Sequence, residues 1–176
     1  YRELIEQEVP LVVTNDFIFY YYQNFLKQIY KDIEENVFYE NLWNINKGLY
    51  DIALTRYKQR LDKVGLTNDP VLEGQRLELA YFAVALRLMM PIEEQIDTKE
   101  NFTDDTKFNK LESEKFSFRL PDFLKDDVIE EVSLIRWANK QEKSPVLLYP
   151  RDYDYFQVPA EYKEDAKLNN FYLSLK

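Results

Sequence analysis

The sequence predicts a mainly α protein, an irregular bundle of about five helices around a central apolar helix, with one long polar excursion and a short extended segment. Two observations support this fold class. Apolar residues recur at the three- and four-residue spacing of a helix in several stretches, and the stretch from Leu77 to Met90 is apolar on nearly every side. At 176 residues the chain is long enough to bury about 70% of its extended surface, so we expect a single domain, residues 1–176.

The first helix is predicted between Thr14 and Glu35, in a segment rich in phenylalanine and tyrosine. Apolar side chains recur there at intervals of four, three, four and four residues, which places them on one side of a helix. This set, called the N-terminal stripe below, comprises Ile18, Tyr22, Phe25, Ile29 and Ile33. We expect the stripe and most of the rings between Phe17 and Tyr30 to cover the core, with Asp16 as the N-cap.

A second helix is predicted from about Tyr39 to Lys63, and it stops at Val64 and Gly65. Its spacing predicts an apolar side formed by Leu42, Ile45, Leu49 and Ile52. A third helix begins near Pro70, after the N-cap candidates Thr67, Asn68 and Asp69, and ends before Pro91. Because polar residues occupy only a narrow strip along this helix, we expect it to be the central helix of the bundle.

The remaining segments alternate between polar and helical patterns. Residues 92–117 are polar with isolated rings and predict a long surface excursion, which is functional, locally ordered or disordered. A fourth helix is predicted from Pro121 to about Asn139, and another from about Tyr162 to Leu175. Between them, the two prolines of Ser144 to Pro150 favour a short strand or extended segment.

The composition excludes several classes of function. The chain has no Cys and no His, which removes thiolate nucleophiles, the commonest general base and most zinc sites. A net charge of −9 and the absence of a basic run argue against nucleic-acid binding. The longest apolar stretch is shorter than the ~20 residues that span a bilayer, so we predict no transmembrane segment in this chain.

No catalytic, cofactor-binding or metal-binding residue is predicted. Adjacent acids occur at Glu93-Glu94, Asp104-Asp105, Asp126-Asp127 and Glu130-Glu131. Neighbours in sequence do not face each other on a helix, so we expect Glu130 and Glu131 to lie in solvent and Asp126 and Asp127 to complement a helix N-terminus. The pair Asp152 and Asp154 and the stretch 101–105 lack the ligand spacing and the glycine of an EF-hand loop.

A second cluster of rings lies in a non-helical segment that could present side chains outward: Tyr149, Tyr153, Tyr155 and Phe156. Such rings stack on sugars or anchor a partner protein, because tyrosine offers a large contact area at low entropic cost. The other interpretation is that they cover the helical core.

Two stretches resemble a known family. The first stretch runs from Val13 to Tyr22 and continues into Asp32 to Glu35. The second stretch comprises Ser144 to Val146, Arg151 to Phe156 and Tyr162 to Tyr172. Together they are similar to a family of large, uncharacterised archaeal and bacterial extracytoplasmic helical proteins, domain of unknown function family 3160. Where the family pattern has histidines, this chain has Tyr20, Gln23 and Glu161, and Val158 to Ala160 replace its Pro-Arg-Gly.

The resemblance implies a helical domain exported beyond the membrane, often behind a signal or lipoprotein sequence, and it implies no reaction. Because family members are longer, we also expect this chain to be a fragment of a longer one. The sequence thus predicts a non-enzymatic, extracytoplasmic binding or envelope-associated domain with a protein or glycan partner. Two alternatives stay open, a carboxylate-based hydrolase of envelope polysaccharide and a structural module of a larger assembly.

Overall fold

A computed structural model describes residues 14–65, 68–97, 104 and 106–176. The mainly α prediction is confirmed, and the sheet found in these residues is one two-stranded hairpin. The α-helices are α1 (Asn15–Ile33), α2 (Tyr39–Val64), α3 (Pro70–Met89), α4 (Lys110–Lys115), α5 (Lys125–Trp137), α6 (Ala160–Lys163) and α7 (Ala166–Leu175). The strands are β1 (Gln141–Lys143) and β2 (Pro150–Asp152), and short 3₁₀ helices lie at Glu93–Gln95, Asp122–Leu124 and Tyr153–Phe156.

Helices α1 and α2 form one continuous helical run through a π-helical turn, Glu34–Phe38. Thr14, not Asp16, is the N-cap, because its Oγ1 accepts a hydrogen bond of 3.2 Å from the backbone N–H of Phe17. The run ends as predicted at Gly65, which has a φ of +67° and donates its N–H to the carbonyl of Leu61. Glycine adopts this positive φ without the steric cost of a Cβ.

Helix α3 is the centre of the bundle, as predicted. Asp69 caps it by accepting a hydrogen bond of 2.8 Å from the N–H of Leu72, and Pro70 is its first residue. Leu79, Leu86 and Met89 are completely buried. The helix packs against α2, α5 and α7, so three different elements cover its apolar sides.

The predicted apolar side of α2 is wrong, because Ile45, Leu49 and Ile52 are exposed. A second stripe of the same period is buried instead: Tyr39, Trp43, Asn46, Tyr50, Ala53 and Tyr57. The ring of Tyr50 meets that of Phe118 edge to face at 4.9 Å between centroids. The ring-rich stripe contributes more apolar area to the core than the aliphatic one, which explains which of the two is buried.

The described part of segment 92–117 runs back to the core. Phe108 and Phe116 are buried, and their ring centroids lie 5.7 and 4.9 Å from that of Tyr39. The Phe108 N–H donates to the carbonyl of Gln95, and the Asp97 N–H donates to the carbonyl of Phe108. The isolated rings of this polar stretch therefore anchor it to α2.

The extended segment predicted at Ser144 to Pro150 is mainly the turn of the hairpin, and the strands flank it. Lys143 pairs with Pro150, and Gln141 pairs with Asp152. Ser144 closes the turn, since its N–H donates to the carbonyl of Tyr149 at 3.0 Å.

The last predicted helix is divided into α6 and α7, because Asp165 starts a new helix by accepting from the N–H of Leu168. The fourth is shorter than predicted and ends where Ala138 adopts a left-handed conformation.

Candidate functional site

Among the described residues, the contacts of helix α1 with the rest of the domain lie along one side of its last turns. Nζ of Lys31 donates to the carbonyl of Glu161 at 2.7 Å, and Nζ of Lys27 lies 3.6 Å from the carboxylate of the same residue. One turn further along, the Tyr162 hydroxyl donates to Oε2 of Glu34 at 2.6 Å. Positions 27, 31 and 34 share one side of a helix, so this is the side that faces α6 and α7.

A half-buried cation fastens the π-helical turn to the domain. Nζ of Lys167 lies 3.1 Å from Oε1 of Glu35 and 2.8 Å from Oε1 of Glu112, which joins α7, the π-helical turn and α4. Burial acts to lower the pKa of Lys167, but the hydrogen bonds to Glu112 and Glu35 outweigh it and raise that pKa above its ordinary value. The ammonium group therefore stays charged at neutral pH.

The N-terminal stripe lies on the opposite side of α1 and is open to solvent, so the prediction that it covers the core is wrong. Ile18, Tyr22 and Phe25 are 55, 56 and 55% exposed, and Ile29 and Ile33 are each 36% exposed. No residue of α1 is buried. The periodicity correctly predicts an amphipathic helix, but in the described part of the chain no other element packs over its apolar side.

The exposed apolar surface of α1 is large. Seven of its rings are more than half exposed: Phe17, Phe19, Tyr20, Tyr21, Tyr22, Phe25 and Tyr30. Since a fully buried aromatic side chain removes about 150–250 Å² from water, these rings together expose more than about 500 Å². At 100° per residue the rings are distributed around the helix, and Tyr22 and Phe25 are the two that belong to the N-terminal stripe.

The structure divides the four rings of the second predicted cluster. Tyr153 and Phe156 are buried, while Tyr149 and Tyr155 are 55 and 60% exposed. The ammonium of Lys176 lies 4.1 Å from the centroid of the Tyr155 ring. Tyr149 and Tyr155 therefore stay candidates for partner binding, whereas Tyr153 and Phe156 lie in the core beneath them.

Glu131 is buried, against the prediction that it lies in solvent with Glu130. Its Oε2 accepts a hydrogen bond of 2.5 Å from the Ser144 hydroxyl, and its Oε1 accepts one of 2.9 Å from the Tyr153 hydroxyl. Nη1 of Arg151 lies 3.7 Å away. Burial raises the pKa of Tyr153, and the hydrogen bond to Glu131 raises it further.

These contacts show what the carboxylate of Glu131 does. Two hydroxyl donors and a guanidinium satisfy it, and they hold the hairpin turn and the 3₁₀ helix Tyr153–Phe156 against α5. Glu130, its neighbour, is exposed. The only signal for this cluster in the sequence was the run of hydroxyl and basic residues from Ser144 to Tyr153, which does not identify their common acceptor.

Asp127 and Asp152 make ion-pair and capping contacts. Asp126 and Asp127 lie in the first turn of α5, as predicted, and Oδ2 of Asp127 also lies 2.5 Å from Nη1 of Arg76. Oδ1 of Asp152 accepts from the N–H of Asp154 at 3.0 Å. Within the described residues no three acids gather as they would around a metal ion, and the candidate stretch 101–105 lies outside those residues except for Asp104.

The fold and the exposed helix define a mainly α bundle domain in which the apolar side of α1 is exposed. Searched over the described residues, the helices include none with the length and hydropathy of a membrane span. The chain belongs to the family described as Protein of unknown function (DUF3160), which it matches over residues 1–175. Comparison with curated proteins and with solved structures gave no match.

Proposed function

We propose that this chain is a non-enzymatic domain that binds a protein outside the cytoplasm, and that the N-terminal stripe of α1 is its docking surface. The observation that carries the proposal is the exposure of this stripe on the side of α1 away from α6 and α7. An amphipathic helix whose apolar side has no cover in its own domain is the usual element of helix-in-groove and helix-to-helix recognition.

The chemistry of the stripe favours a protein over a glycan. Ile18, Ile29 and Ile33 offer sugar hydroxyls no hydrogen-bond partner, and three aliphatic positions among five suit an apolar protein surface. Tyr149 and Tyr155 are better placed for a glycan, because Asp152 and Arg151 lie beside them in the hairpin.

Photocrosslinking on the native full-length protein tests this function. A benzoylphenylalanine at Tyr22 should give adducts that contain peptide, and the second substitution Phe25→Lys should abolish them. Lys58, exposed on α2, is the matched control position and should give no adduct. Glycan adducts at Tyr22, or equal yields at Lys58 and Tyr22, would overturn the proposal.

The compartment rests on the resemblance to extracytoplasmic proteins. Protease added to intact cells that make the native full-length protein should cleave it, while a cytosolic marker stays intact. Full protection until the cells are lysed would contradict this part of the proposal alone.

The hydrolase alternative has a separate test. The contacts of Glu131 are those of a structural carboxylate, so envelope polysaccharide incubated with the purified chain should release no new reducing ends. Release that the substitution Glu131→Gln removes would establish the hydrolase instead. Assembly of the purified full-length protein into a regular array would favour the structural module.

A further inference from the structure

We infer that a groove at the end of α5 binds a short sugar acid, a saccharide that carries one carboxylate. The groove lies between the last turn of α5, the end of the 3₁₀ helix Tyr153–Phe156, and helices α6 and α7. Its described lining includes no residue of α1, so the inference goes beyond the proposed function and does not depend on it. Three observations support it: the charge of the lining, the exposed indole of Trp137, and two side-chain amides.

The groove has the size of a small-molecule site. Its volume is about 560 Å³, and ligand pockets in proteins range from about 300 to 1,000 Å³. The buried residues Phe156 and Leu173 supply part of its apolar lining. The volume therefore indicates a small ligand, because a protein partner needs a larger surface.

The lining is basic although the protein is acidic. Arg136 and Lys163 line the groove, and none of the nine described residues around it is an acid. The whole chain, in contrast, has 32 acidic and 23 basic residues. Neither cation forms an ion pair with a carboxylate in the described part of the chain. The groove thus offers two cations to an anionic ligand.

Arg136 is the stronger of the two candidates for binding a carboxylate. Its guanidinium donates one side-chain hydrogen bond within the described structure, of 3.3 Å, to the carbonyl of Leu88. Burial lowers the pKa of Arg136 and the nearby Arg87 lowers it further, while Tyr39 acts in the opposite direction. A half-buried cation without a counterion is stabilised by a bound anion more than an exposed one is. The planar guanidinium also matches a carboxylate with two parallel hydrogen bonds.

The indole of Trp137 provides a flat apolar surface in the same groove. It is 70% exposed, although Trp137 is the last residue of α5. The ammonium of Lys140 lies 5.8 Å from the centroid of this ring, and it is paired with Glu142 at 3.2 Å. The C–H groups on one face of a sugar ring pack on an exposed aromatic surface of this kind.

Two side-chain amides favour a sugar over a simple organic acid. Nε2 of Gln157 donates to the carbonyl of Ala138 at 3.4 Å, which leaves its Oε1 as an acceptor. Asn169 lines the same groove from α7 and is partly exposed. An amide both donates and accepts hydrogen bonds, as a sugar hydroxyl does. The net charge of −9 repels polyanions, so we expect a ligand with a single carboxylate.

An NMR titration of the purified chain tests the site. Methyl β-glucuronoside should shift the indole N–H signal of Trp137 until the site is saturated. The signal of Trp43, which is 6% exposed, should not move. Methyl β-glucoside differs only in having a CH₂OH group in place of the carboxylate. It should bind at least about tenfold more weakly, because it lacks the hydrogen bonds between charged groups.

Substitutions assign the binding to this groove. Trp137→Ala should abolish saturable shifts of the Asn169 side-chain amide. Lys163→Gln should weaken binding of the glucuronoside by about two- to fivefold, since Lys163 is exposed. The matched control Lys125→Gln removes the same charge from the opposite end of α5 and should leave the affinity unchanged.

Arg136→Lys keeps the charge and removes the forked donor, so it should also weaken binding. Because Arg136 contacts the end of α3, circular dichroism must show wild-type helix content in this variant, and Trp137→Ala gives a test that does not disturb that contact. An unshifted Trp137 signal, equal affinities for the glucuronoside and the glucoside, or unchanged binding by Trp137→Ala overturns the inference. Acetate that binds as tightly as the glucuronoside overturns the sugar as the ligand.

Discussion

The hydroxyl of Tyr153 lies 2.9 Å from Oε1 of Glu131, and both side chains are buried. Replacing Tyr153 with Phe leaves a buried carboxylate short of one of its donors, and hydrogen bonds to charged groups contribute about 1.5–3 kcal/mol. We expect the free energy of unfolding, measured by urea titration, to fall by that amount. Glu130→Gln is the control and should stay within about 0.5 kcal/mol of wild type, because Glu130 is exposed.

The central position of α3 predicts unequal costs for two leucine truncations. Leu86 is completely buried in α3, whereas Leu42 on α2 is only partly buried. Leu86→Ala should lower the free energy of unfolding by about 2–5 kcal/mol, and Leu42→Ala should lie at or below the low end of that range. If chemical denaturation showed equal, small losses of unfolding free energy at both positions, the central position of α3 would be contradicted.

Phe108 is the anchor that ties residues 106–117 to α2. Its ring is completely buried against Tyr39, so Phe108→Ala should cost about 3–5 kcal/mol in the free energy of unfolding. It should also speed proteolysis within this segment under native conditions. Leu111→Ala, at a residue that is 78% exposed on α4, should change neither the stability nor the cleavage rate.

The ion pair between Glu73 and Arg76 on α3 predicts a loss of stability in acid. Arg76 donates to both oxygens of Glu73 and also to Asp127, and its hydrogen bonds hold the pKa of Glu73 below the ordinary value of 4.5. The unfolded state then binds the proton first, so this contribution is complete above pH 4.5 and is lost as the pH falls through the lowered pKa.

Because Glu73 is about half exposed, the contribution is small, about 0.2–1 kcal/mol. Glu73→Gln should lower the melting temperature at pH 7 and approach wild type in strong acid. A difference between the two proteins that is constant from neutral pH to strong acid would exclude this linkage.

The helices could be predicted from the sequence because their signals are local. Asp69 and Pro70 mark the start of α3, Gly65 marks the end of α2, and the apolar residues after Leu77 identify a central helix. Each signal depends on residues within one or two turns. Family membership was predicted as well, from stretches at both ends of the chain.

What sequence reasoning missed depends on contacts between distant residues. Helix α2 carries two stripes of equal period, and contacts with distant residues, among them the rings of Phe116 and Phe118, select the one that is buried. Glu131 looked like a solvated acid because its donors, Ser144 and Tyr153, lie on another element. The N-terminal stripe has the pattern of a core helix, and a pattern does not state which molecule covers it.

The π-helical turn determines how far α1 is rotated about its axis relative to α2. Tyr39 reaches back five residues to the carbonyl of Glu34 instead of four, which offsets α1 from α2 by about one residue, or about 100° of rotation. Deleting Asn36 would restore an α-helical phase and swing Ile18, Tyr22 and Phe25 by that angle, without replacing any of them. The direction in which the N-terminal stripe faces is therefore determined by the five residues of the π-helical turn, Glu34–Phe38, which lie outside α1.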